Sequence, residues 1–122
     1  MLQQLIALII LICTDMIYLH MNSEMYKPII QGEINKLYAF LTWVCIIIGI
    51  QFLVISRNDM NEQNAILYGF ILGFVTYSIY NFTNAAIYTK THGIKIIIID
   101  TLWGSILTSF ISYVLFKLQS FS

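Results

Sequence analysis

The chain has 122 residues, 59% hydrophobic and 10% charged, with one Pro and a formal net charge of zero. Soluble domains carry about 25% charged residues, and a water-soluble core this short could not hide so much apolar surface, so lipid must be the second solvent. The balanced charge, with no basic cluster, excludes nucleic acid and a polybasic lipid-binding patch.

Four apolar stretches follow one another: residues 2–21, 37–55, 65–88 and 94–116. Crossing about 30 Å of hydrocarbon takes roughly 20 helical residues, and each stretch meets that length. Backbone groups in lipid must be satisfied internally, which leaves helices or a closed barrel. Barrel strands alternate apolar and polar residues; here Leu5 to Ile12 and Ile94 to Ile99 run as apolar blocks. The reading is an all-α, integral membrane four-helix bundle, one domain over 1–122.

The first stretch begins Met1-Leu2-Gln3-Gln4 without a cation and ends in bulky Tyr18-Leu19-His20-Met21. A cleaved signal peptide wants a cationic start and small residues at its end, so this segment is expected to be retained. It carries Asp15. The loop after it alternates Glu24, Lys27, Glu33 and Lys36, with Pro28 and Gly32 breaking any continuous helix; a solvated loop is expected over a short surface helix. The second stretch holds Cys45 and Trp43, which reads, like Trp103 and the many Tyr residues, as a belt or packing aromatic. Cys45 and Cys13 fit no redox or zinc spacing and read as small, buried, reduced side chains. In the second loop, Asn61 or Asn64 can cap the third helix.

At about 100° per residue, Gly69, Gly73, Tyr77, Tyr80, Asn81, Asn84 and Tyr88 share one side of the third helix. On the fourth, Asp100, Gly104 and Thr108 share a side, with Thr101 and Ser112 at its margin. Gly69, Gly73, Gly104 and Thr108 are read as helix-packing positions, since small residues let helices approach.

Asp15 and Asp100 are the carboxylates inside spans. An Asp near a helix centre costs about 2.5–3.5 kcal/mol on insertion scales, enough to keep it off lipid-facing positions. Asp15, Asn81, Asn84 and Asp100 all fall in the leaflet of loops one and three, roughly 6–12 Å from the bilayer centre at 1.5 Å per residue. Asp15, Asn84 and Asp100 are therefore expected to meet, with Trp103 nearby. Two desolvated carboxylates in one layer are not expected to ionise together, so one is expected to donate a hydrogen bond, to Asn84 or to the other Asp.

Polar residues in membrane bundles often only pair helices, at about 0.6 kcal/mol each. Paired intramembrane Asp residues more often mark function. His20 and His92 lie near one membrane face without metal-ligand spacing and read as interfacial. No metal or cofactor is expected. The sequon Asn81-Phe82-Thr83 falls within a helix and is set aside.

Asp15 with Tyr18, then Gly69-x-x-x-Gly73-x-x-x-Tyr77-x-x-Tyr80-Asn81-x-Thr83-Asn84, then Asp100-Thr101-x-Trp103-Gly104, together resemble a family of small membrane proteins of bacteria and some large DNA viruses, catalogued as domain of unknown function 2177. The resemblance covers nearly the whole chain. It implies the four-span fold and the polar layer, and no activity. The family usually has Asp where this chain has Asn81, which removes one charge and weakens a relay needing three carboxylates.

The expected role is binding or moving a small molecule or ion at a site of Asp15, Tyr77, Tyr80, Asn81, Thr83, Asn84, Asp100 and Trp103, with catalytic residues unassigned. A structural or accessory subunit, and an intramembrane enzyme on a lipid-like substrate, are the alternatives. The bilayer is the expected partner, with a homo-oligomer or membrane partner left open. Lys27, Lys36, Lys90 and Lys95 in loops one and three, against Arg57 and Lys117 on the other face, put those loops in the cytoplasm and both termini outside.

Overall fold

The computed structural model describes residues 1–29, 35–90 and 92–121; Gly32 and Glu33 of the first loop lie outside them. The described residues form helices without a strand: α1 Leu2–Met21, α2 Ser23–Tyr26, α3 Lys36–Ile50, α4 Glu62–Ile87 and α5 Ile94–Ser120. A π-helical turn, Gln51–Ile55, continues α3. Four spans are long and apolar enough to cross a membrane, α3 with its π turn counting as one. The bundle is all-α, as its continuous apolar runs require. The fourth span runs further than the sequence suggested, through Ser120 rather than to residue 116.

Local chemistry sets the helix starts. Asn35 caps α3, its side chain accepting from Tyr38 N at 3.1 Å, and Asn61 caps α4 by accepting from Asn64 N at 2.8 Å. At the π turn, Ser56 N donates to Gln51 O over five residues at 3.1 Å. The Gln51 side chain accepts from Gln4 of α1 at 2.9 Å and from Gln119 of α5 at 2.7 Å. The π turn thus sits where three helices are tied by amides.

The helices do not pack evenly. The α4–α5 contact is by far the most extensive, α1 lies against α5 and α3, and α3 touches α4 only lightly. Small residues explain the first. A Cβ at Gly73 would stand 2.5 Å from Gly104 O and 2.9 Å from Ser105 Cα, so the two backbones meet where only glycine fits. Gly69 faces Ser112 and Ser109 in the same way, and Tyr77 lies across Gly104. Ser109 Oγ donates to Ile66 O across the interface at 2.8 Å.

The apolar core lies toward the termini. Ala7 and Leu11 of α1, Ile47, Ile50 and Val54 of α3 and its π turn, and Leu107, Ile111 and Leu115 of α5 form one cluster. Large apolar side chains elsewhere, such as Phe52, Phe82 and Ile79, point outward as lipid-facing residues should.

Both cysteines depart from the expectation of burial: Cys13 and Cys45 are exposed on the bundle surface. Inside a bilayer an outward thiol meets hydrocarbon, so burial by protein is not needed to hide it. In loop two, Asp59 accepts from the Tyr68 hydroxyl at 3.0 Å and from Arg57 at 3.2 Å, and the Arg57 guanidinium lies 4.2 Å from the Tyr68 ring centre. Chiefly the Tyr68 bond, with Arg57 adding to it, holds the Asp59 carboxyl below its ordinary range.

Candidate functional site

Depth brings the polar residues together. Asp15 lies six residues before Met21, the last of α1; Asn81 six before Ile87, the last of α4; Asp100 six after Ile94, the first of α5. Each is thus about 9 Å along its helix from the end at loops one and three.

Asp15 is held by two indoles. Trp43 Nε1 of α3 donates to one carboxylate oxygen at 2.8 Å, and Trp103 Nε1 of α5 donates to the other at 2.9 Å. Asp100 is buried and also bonded at both oxygens, to the Tyr26 hydroxyl at 2.6 Å and to Asn81 Nδ2 at 2.8 Å. Asp15 and Asp100 thus accept hydrogen bonds from protein donors at all four of their oxygens. The expected donation from one Asp to Asn84 or to the other Asp is not among them.

The two centres are connected. The Tyr26 hydroxyl gives its proton to Asp100, so the Tyr18 hydroxyl, 2.8 Å away, donates to Tyr26. The Tyr18 ring stacks on Trp103, centroids 4.2 Å apart and planes 8° from parallel. Trp103 returns the chain to Asp15. On the other side, fully buried Asn81 also bonds Tyr77 O and Thr101 Oγ1, and its Oδ1 accepts from His92 Nε2 at 2.7 Å. The acceptor Oδ1 places a proton of His92 on Nε2, and among the described residues its buried Nδ1 has no partner. Desolvation, with the bond to Asp100, pushes the Tyr26 phenol far above its ordinary range, so it remains a donor.

Asp15, Asp100, Tyr77, Tyr80 and Trp103 line a cavity of about 500 Å³, together with Tyr26. Its other walls are largely apolar, including Leu19, Ile46 and Leu72. Asn81 stands behind Asp100 as its bonding partner. Thr83 is exposed and outside the cavity. Asn84 pairs with Tyr80 on its own helix, not with Asp100; three residues past Asn81, it is turned about 60° away, and the earlier amide takes the place expected for it. Thr101 and Ser112, expected at the margin of α5, are buried.

Three participants were read otherwise in the sequence. Tyr26 belongs to a four-residue helix in what was expected to be a solvated loop, Trp43 was a belt or packing aromatic, and His92 was an interfacial histidine. An indole in the same leaflet as an Asp is the signal that could have marked Trp43. Among the described residues no group of three or more His, Cys, Asp or Glu could hold a metal ion.

No curated protein and no solved structure matches the chain. A family profile described as predicted membrane protein (DUF2177) matches residues 1–116. With that match over nearly its whole length, and four helices fit to cross a membrane, the chain belongs to the DUF2177 family of membrane proteins.

Proposed function

We propose that this protein binds a small molecule in the cavity lined by Asp15 and Asp100. The observation that carries the reading is the cavity itself: about 500 Å³ of space at the one level where both intramembrane carboxylates lie. Ligand sites of small molecules fall at about 300–1,000 Å³, mostly apolar with a few placed polar groups. A layer serving only to join helices would be filled.

Binding is favoured over passage. Toward the termini, the cluster of Leu11, Ile50, Val54, Leu107 and Ile111 closes the bundle, each residue at most 1% exposed. An enzyme on a lipid-like substrate is less favoured: all four carboxylate oxygens are engaged by protein donors, and no metal-ligand group stands near among the described residues. We place loops one and three in the cytoplasm. Arg57 and Lys117, on the opposite face, each have an acidic partner, Asp59 and Glu62, whereas Lys36, Lys90 and Lys95 have none among the described residues.

Cys45 lines the cavity and tests it. In a Cys13→Ala background, N-ethylmaleimide should modify Cys45 in intact membranes, and Thr76→Phe, which fills the cavity wall, should slow the reaction at least tenfold. An unreactive Cys45 would mean a dry, closed layer and a structural role.

A further inference from the structure

Resting on the reading of the cavity as a binding site, we propose that its occupant is a lipid-derived organic ammonium, its charged head between Asp15 and Asp100 and its apolar chain along α3 and α4. Three independent features lead there.

The first is the pair of intramembrane carboxyl groups without a cationic partner. Among the described residues neither carboxylate takes part in an ion pair, and the donors that reach them are neutral indole, phenol and amide groups. All six Lys and Arg residues lie among the described residues, and none of them pairs with Asp15 or Asp100. Two carboxylates in a membrane interior normally face a partner of opposite sign. Each oxygen accepts one hydrogen bond from the protein and has capacity for a second.

The second is aromatic enclosure. Tyr26, Tyr77, Tyr80 and Trp103 line the same space as the two Asp residues. Aromatic faces beside carboxylates recognise alkylated ammonium groups, whereas a bare metal ion needs a close set of oxygen, nitrogen or sulfur ligands. The third is access. Thr42, Cys45, Thr76 and Tyr80 both line the cavity and are exposed on the bundle surface. They stand on α3 and α4, the loosely joined pair. The space therefore borders the acyl region of the bilayer, and its remaining walls are largely apolar, which suits a chain attached to the head.

Tryptophan emission reads this site without a label, because the chain has two Trp residues and both bond Asp15. Purified protein in a neutral detergent is titrated with dodecyltrimethylammonium, dodecyl sulfate, dodecanol and tetramethylammonium. Dodecyltrimethylammonium should give a saturable change, at least tenfold weaker in Asp100→Asn and absent in Cys45→Phe. The Cys45 side chain makes none of the bonds of the polar network, so the second variant removes space without removing charge. An equal response to dodecyl sulfate, or a response that survives Cys45→Phe, overturns the ammonium assignment. Tetramethylammonium binding as tightly as the amphiphile overturns its lipid source. Saturable binding of dodecanol alone, blocked by Cys45→Phe, refutes the ammonium and leaves the binding site standing. No binding of any probe refutes the ammonium, and an unreactive Cys45 would then remove the site as well.

Discussion

Trp103 donates a 2.9 Å hydrogen bond to Asp15 across 88 positions of sequence, tying α5 to α1 inside the membrane. Trp43 takes the other oxygen from α3. An Asn at position 15 would offer one acceptor and turn its NH₂ toward the second indole. Asp15→Asn should therefore destabilise the protein by about 1–3 kcal/mol, the cost of a buried donor left unpaired. Thermal unfolding in detergent measures it. The double variant Asp15→Asn, Trp43→Phe should recover part of the loss, since it removes the orphaned donor.

The α4–α5 interface makes a sharper packing prediction. Gly73→Ala sets a methyl group against the Gly104 and Ser105 backbone, which cannot yield as a side chain end can, and should cost about 1–3 kcal/mol. Gly49→Ala is the contrast: its Cβ would lie 3.6 Å from the Leu72 side chain, an ordinary contact. That variant should be neutral or up to about 1 kcal/mol more stable, as Ala favours helix over Gly. Equal costs would mean the helices are not in backbone contact.

How much of this was legible can be argued from three positions. The four spans and the shared depth of Asp15, Asn81 and Asp100 were readable because length and rise per residue convert directly to depth in a bilayer. Asn81 against Asn84 was harder: both fall within the same broad face, and only the seating of α4 on α5 decides which amide meets Asp100. Tyr26 was out of reach. Its role needs a short helix to fold the chain back over the bundle and place a phenol 74 positions away from its acceptor, and neither periodicity nor composition encodes that return.

Tyr26 also gives a pH dependence. Its folded-state affinity for the proton is raised, so the unfolded chain loses that proton first as pH rises. Its stabilisation is fully present below about pH 10, the phenol's ordinary value, and declines above it. Tyr26→Phe should lower stability at neutral pH by about 1.5–3 kcal/mol, as a bond to a charged group is lost, and should flatten the alkaline decline. Chemical unfolding at pH 7 and at pH 11 provides the comparison; parallel declines in both proteins would assign the effect to other groups.

Orientation is testable at two exposed serines, Ser23 at the start of α2 and Ser120 at the end of α5. In a background lacking Cys13 and Cys45, a membrane-impermeant maleimide applied from outside should label Ser120→Cys and spare Ser23→Cys. The reverse pattern would invert the topology.

The most direct measurement is native mass spectrometry of the protein released from nanodiscs containing a small fraction of dodecyltrimethylammonium. A cavity that takes one ammonium amphiphile predicts a single 1:1 adduct on the wild-type chain and none on Cys45→Phe. A ladder of adducts alike in both proteins, or no adduct on either, would contradict an ammonium site between Asp15 and Asp100.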